Sequence, residues 1–338
     1  MDIVRGLVAL ALACIGACDR GPPRDRAATA NPPQVVAPGS GVAAAPAAGP
    51  AAAVPSCTLA VVPLRIPAAR RVVAIGDLHG DLAATRAALR AAGAIDAQDR
   101  WIGGDLVVVQ TGEVLDRGDG EHAILDLIAR LETEARAAGG AVVALLGNHE
   151  LMNAAGDFRY VTPAGFHDFD GVAGPAAAMA ASAPEGQRSR VAALGPGGSY
   201  ARRLAQHAVV AIVGDTVFSH AGVLGDWVTH IDDTNRASRC FLDGQARTPP
   251  PAATADDSPL WTRAVGTGAP DCAAVKTALA AMHLGRMVVA HTVQEHGITS
   301  ACGETLWRID VGLARLYNGP IQVLQVYPKV EILTGQRL

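Results

Sequence analysis

The sequence predicts an α/β fold built around a parallel sheet, and three observations predict it. A short β-branched run, a polar loop with glycines and a helical pattern follow one another in that order. The succession occurs three times between residues 71 and 150, and the side chains able to do chemistry fall in its loops. Right-handed crossovers line such loops along one carboxyl edge of one sheet, so residues distant in sequence meet there.

The first strand is Arg71-Val72-Val73-Ala74-Ile75 and its loop is Gly76-Asp77-Leu78-His79-Gly80-Asp81. Asp77 and His79 alternate with Leu78, so an extended loop points a carboxylate and an imidazole the same way, which is half of a metal site. Asp81 is placed to cap a helix running through Leu82, Leu89 and Ala92 to Gly93. The second strand, residues 106–110, leads into a loop carrying Glu113, Asp116 and Arg117. A helix over residues 121–138 follows, with Ile124, Leu125, Ile128 and Leu131 on one face and Gly139-Gly140 closing it. The third strand, residues 141–146, ends in Gly147-Asn148-His149-Glu150.

The edge therefore collects Asp77, His79, Glu113, Asp116, Arg117, Asn148 and His149. Carboxylate, imidazole and amide donors without a thiolate suit Mn, Fe or Zn better than an all-oxygen calcium cage. The arginine beside them points to an anionic substrate, with phosphate the first candidate.

Beyond residue 151 the periodicity weakens. Residues 152–207 are too long for a plain connection and read as a partly helical cap insertion over the site. Order returns as a hairpin, residues 208–213 and 216–219 about Gly214-Asp215, ending at His220-Ala221-Gly222. Another apolar strand, Arg286 to Ala290, stops at His291, while residues 305–310 and 321–326 read as the last strands of a second sheet. His122, His167, His230, His283 and His296 lack such a setting and are assigned to structure.

With 338 residues, half of them apolar, the chain has ample material for a core. A net charge of −4 and 4% aromatic residues give neither the electrostatic footprint nor the stacking platforms of a nucleic-acid binder. At the start, Arg5 precedes an apolar run of roughly ten residues, too short to span a bilayer, which reads as a signal peptide over residues 1–18. Its end, Ile15-Gly16-Ala17-Cys18, resembles the lipobox of bacterial lipoproteins and implies a lipid anchor at Cys18 on the periplasmic side of a membrane. An ordinary secretory signal, giving a soluble periplasmic protein, is the alternative. Residues 19–68, rich in Ala and Pro in their first part, read as a disordered tether, and residues 69–338 as the folded domain. Cys57, Cys240, Cys272 and Cys302 remain for two disulfides with three possible pairings.

The ordered motifs Gly76-Asp77-Leu78-His79-Gly80, Gly112-Glu113-Val114-Leu115-Asp116-Arg117-Gly118 and Gly147-Asn148-His149-Glu150 resemble those of the calcineurin-like metallophosphoesterases of the phosphoprotein phosphatase family. Gln110-Thr111-Gly112, Leu145-Leu146 and Gly156-Asp157-Phe158-Arg159-Tyr160 are similar to the wording of the Shewanella-like phosphatases.

The resemblance implies a β-sandwich of two mixed sheets flanked by helices, and a site with two divalent metal ions. Asp77 and His79 would hold one ion, and Asn148, His220 and His291 the other. Glu113 would bridge both where the family has aspartate; its extra methylene enters a site whose ions lie only about 3.5–4 Å apart. His149 would protonate the leaving group with Asp116 as partner. Arg117 and Arg263, the latter in Ser258-Pro259-Leu260-Trp261-Thr262-Arg263, would bind the substrate phosphate beside Asn148.

The implied reaction is phosphomonoester hydrolysis by a metal-bridging water, on a phosphorylated protein or a small phosphomonoester. The alternatives are a phosphodiesterase or nucleotide phosphatase using the same site, and a metal-binding lipoprotein silenced by Glu113.

Overall fold

A computed structural model describes residues 57–59, 62 and 65–337, all within the compact unit of residues 52–338. The expected signal peptide and the tether up to residue 56 lie outside the described residues.

The chain enters through β1 (Arg65–Ile66) and continues through β2 (Val72–Ile75), α1 (Leu82–Ala91), β3 (Val107–Gln110), α2 (Glu121–Ala137) and β4 (Ala141–Ala144). β2, β3 and β4 pair in parallel, in that order. Every residue of β2 and β3 is buried, as a parallel strand covered on both faces requires. Asp81 accepts the Ala84 N–H at 2.9 Å and starts α1, while α2 buries Ile124, Leu125, Leu127, Ile128 and Leu131.

After α3 (Asn148–Ala154) come three short 3-10 turns, α4 (Arg188–Leu194) and α5 (Ser199–Leu204). The hairpin is β5 (Val210–Val213) and β6 (Thr216–Ser219), followed by α6 (Ile231–Leu242), α7 (Cys272–Met282) and β7 (Arg286–Val289). The last strands are β8 (Thr299–Ala301), β9 (Leu306–Arg308), β10 (Gln322–Tyr327) and β11 (Glu331–Thr334).

Two mixed sheets result, with orders β11-β10-β2-β3-β4 and β1-β5-β6-β7-β9-β8. Buried residues of both contribute to one apolar core. A parallel bridge between Leu145 and Ala208 ties the end of the first sheet to the start of the hairpin.

Two expectations are corrected. Residues 321–326 do not join the second sheet: β10 lies antiparallel to β2, with Leu324 opposite Ala74. The parallel run β2-β3-β4 leaves one edge of β2 open, and β10 covers it with fully buried Val323 and Leu324. The tether does not extend to residue 68 either, because β1 pairs with β5 and Cys57 is joined to Cys240 on α6. The second disulfide is Cys272–Cys302. No helix among the described residues is long and apolar enough to cross a membrane.

Candidate metal and phosphate site

The three loops are held against one another through their backbones. Leu78 and His79 N–H both donate to Glu113 O at 3.0 Å, and Gly80 N–H donates to Val114 O at 2.8 Å. A Cβ on Gly112 (φ +90°) would lie 2.4 Å from Gly147 N, so only glycine fits there. Glu150 is buried below the loops and accepts N–H groups of Glu113, Val114, Leu115 and Gly147 at 2.6–3.2 Å. His79, Glu113, Asp116, Arg117 and His291 all have φ between +44° and +69°. Each costs about 1–3 kcal/mol, strain that accumulates where geometry serves a site.

Asp77, His79 and Glu113 offer ligand atoms within 4.8 Å of one another, and so do Glu113, His220 and His291. Glu113 belongs to both groups. His79 Nδ1 donates to Leu115 O and His220 Nδ1 to Thr111 O, each at 3.1 Å, which leaves both Nε2 atoms with a lone pair. Around His220 Nε2 gather Asn148 Oδ1 at 3.0 Å, His291 Nδ1 at 3.0 Å and Glu113 Oε1 at 3.1 Å. The Asn148 amide oxygen could face this cluster, and His291 Nε2 is buried without a hydrogen-bond partner. Such crowding of lone pairs with few protons among them fits divalent cations.

The electrostatics agree. Burial, with Asp310 and Glu113 nearby, raises the Asp77 pKa well above its ordinary value, a crowding of carboxylates that cations relieve. Burial lowers His79 to about 3 and, together with His220, drops His291, so these imidazoles stay neutral and able to ligate. Burial pushes Glu113 up, but the effects that lower its pKa, led by the charge of nearby His149, outweigh it and hold the carboxylate ionised.

His149 Nδ1 lies 2.5 Å from Asp116 Oδ2, and its Nε2 is 3.6 Å from Glu113 Oε1. Burial lowers its pKa, but Glu113 and Asp116 more than offset that and favour the imidazolium. The half-buried Arg117 sits between the rings of Tyr160 (4.9 Å) and Tyr317 (5.5 Å), with its buried Nε unpaired. Exposed Arg263 donates to His291 O and Thr292 Oγ1, beside the His291 ligand position. The structure thus brings all ten candidate residues to one edge.

Several residues of the site escaped sequence reasoning. Asp116 Oδ1 accepts from Asn153 Nδ2 and Arg190 Nη2, each at 3.0 Å, and Glu121 accepts the Asp116 N–H. Tyr160 stacks on His149 at 5.0 Å, Tyr317 tilts over His79 at 5.8 Å, and Asp310 lies buried against Asp77. Tyr160 ends a stretch whose wording already stood out, whereas Arg190 lies where no pattern marks it.

Residues 70–239 match the family described as calcineurin-like phosphoesterase, and the chain belongs to that family. Its members hydrolyse phosphoesters with a dinuclear metal site. The chain is similar to Shewanella-like protein phosphatase 2 of Arabidopsis thaliana, 37% identical over 308 residues, which is 80% of this chain and 79% of the relative. Shewanella-like protein phosphatase 1 of Plasmodium berghei is 29% identical over 73% of this chain and 68% of its own length. Among solved structures, the cold-active protein-tyrosine phosphatase of a psychrophilic Shewanella species superposes with a TM-score of 0.66 at 23% identity, covering 81% of this chain and 83% of that one. That likeness supports the fold.

Proposed function

We propose that this chain is a metal-dependent phosphomonoesterase acting on phosphorylated protein, with Mn, Fe or Zn as its two ions. The observation that carries the reading is Glu113, which belongs to both ligand groups while its Oε1 lies 3.6 Å from His149 Nε2. Asp77, His79 and Glu113 would hold one ion, and Glu113, Asn148, His220 and His291 the other. When bound, the ions supply Lewis acidity toward the phosphoryl oxygens and lower the pKa of the attacking water.

The protein's own groups do the rest. Arg117, Arg263 and Asn148 bind and orient the phosphate. As the water oxygen bonds to phosphorus and the ester P–O bond breaks, His149 Nε2 gives its proton to the leaving oxygen. His149 is reprotonated by the proton the water loses. Asp116 keeps Nδ1 protonated and the ring in register. The 37% identical plant relative, named a protein phosphatase, supports a phosphoprotein substrate.

The carboxylate of Glu113 reaches His220 at 3.1 Å despite the longer side chain, which favours an active enzyme over a silenced binding module. Export and a lipid anchor at Cys18 on the periplasmic side of a bacterial membrane complete the proposal. The apolar run before Cys18 and the two disulfides, which persist in oxidising compartments, support it. Release of a Cys18→Ala variant from the membrane fraction is the expected outcome.

The test of activity is hydrolysis of phenyl phosphate, whose leaving phenol needs a proton, by the full chain, stripped of metal and then titrated with Mn. Activity that requires Mn and falls about 10²–10⁴-fold in His149→Ala supports the reading. Metal-independent turnover, or an unchanged His149→Ala variant, contradicts it.

A further inference from the structure

The guanidinium of Arg190, on α4, is fully buried and uses all five of its N–H groups inside the protein. Nε donates to Asn153 Oδ1 at 2.8 Å. Nη1 donates to Gly165 O at 2.9 Å and to Glu121 Oε2 at 2.5 Å, and Nη2 to Glu121 Oε1 and Asp116 Oδ1, both at 3.0 Å. No donor is left for a phosphate, so Arg190 is not a substrate ligand.

Its partners converge on the pair that handles the proton. Asp116 is fully buried, with Oδ1 held by Arg190 and Asn153 and Oδ2 turned to His149 Nδ1. Asn153 also donates to His149 O at 3.0 Å, and Glu121 accepts the Asp116 N–H. Hydrogen bonds to both oxygens fix the plane of a carboxylate, and a turn of that plane would break the His149 contact. Arg190 supplies that engagement, and its charge compensates the buried carboxylates of Asp116 and Glu121.

We propose that Arg190 is a positioning residue for proton delivery, and that residues 155–207 reach the leaving-group step through it. The inference rests on the reading of His149 as the proton donor. It implies a loss that depends on the leaving group. A phenol of low pKa departs without a proton, whereas a phenol of high pKa needs one.

The experiment compares p-nitrophenyl phosphate with phenyl phosphate in the full chain loaded with Mn, for wild type, Arg190→Lys, His149→Ala and their double variant. Arg190→Lys is expected to lower kcat on phenyl phosphate about 10-fold or more and on p-nitrophenyl phosphate less than about 3-fold, with KM and bound Mn unchanged. In the His149→Ala background the lysine substitution should cost nothing further. Equal losses on both substrates, or full additivity with His149→Ala, would overturn the inference by making Arg190 a structural fastener. If His149→Ala itself keeps wild-type rates on phenyl phosphate, the reading of the site fails instead. Circular dichroism reports the fold of each variant. Should the lysine variant not fold, Arg190→Met with Glu121→Gln removes both charges together and is read by the same two substrates.

Discussion

Residues 71–150 and residues 155–207 serve the same site by opposite means. The first region places ligands through its backbone: parallel strands end at one edge, and glycines let the loops touch. The second region has no strand and no α-helix longer than seven residues, yet its Arg190 side chain crosses to Asp116, 74 positions away in sequence. Placement by backbone register is written in a repeating pattern. Placement by one buried side chain leaves no pattern to read.

The comparison breaks most visibly at glycine. Gly112→Ala forces a Cβ to 2.4 Å from Gly147 N at φ +90° and is expected to cost about 3–5 kcal/mol, read as a large fall in melting temperature. Gly171→Ala, in the second region at φ +77° with nothing within 4 Å, should cost only about 1 kcal/mol. Equal costs would mean that the loops of the first region are not held by close backbone contact.

Glu150→Gln sharpens the same point. The carboxylate accepts four backbone N–H groups, and an amide keeps one acceptor oxygen while turning an NH₂ toward donors. The expected loss is about 2–4 kcal/mol in denaturant unfolding. A neutral outcome would remove Glu150 from the scaffold of the loops.

The smallest effect concerns a surface tie between the regions. Asp126 on α2 accepts from Tyr200 Oη at 2.7 Å and pairs with Arg203. Burial alone would raise its pKa, but Tyr200 and Arg203 outweigh that and lower it below the ordinary 3.8. A depressed folded-state pKa contributes stability above the unfolded value and loses it as pH falls through the folded one. Asp126→Asn should therefore cost less than about 1 kcal/mol at neutral pH, since solvent screens the pair, and nothing in strong acid. Melting curves from neutral pH down past 3.8 follow it, and a cost that persists in acid would contradict the assignment.

The sequence made the first region legible because the runs of β2 and β3 are buried on both faces and the loops follow immediately. His220 and His291 could be singled out because each follows the end of an apolar strand, β6 or β7. The partner of β10 was not legible, since its alternation fits either sheet and only the open edge of β2 decides between them. β8 and β11 are short and partly exposed, so hydrophobic pattern hardly marks them. The pairing Cys57–Cys240 depends on how chain segments 183 residues apart come together. Arg190, Asn153 and Glu121 look like ordinary polar helix residues until folding buries them around Asp116.

The central claim is that Glu113, with its longer side chain, still serves two ions at once. Equilibrium dialysis of the full chain against Mn, with bound metal counted by atomic absorption, tests it for wild type and Glu113→Gln. The account predicts about two ions per wild-type chain and the loss of at least one in the variant, together with turnover. Two ions retained by Glu113→Gln, or only one bound by wild type, would contradict it.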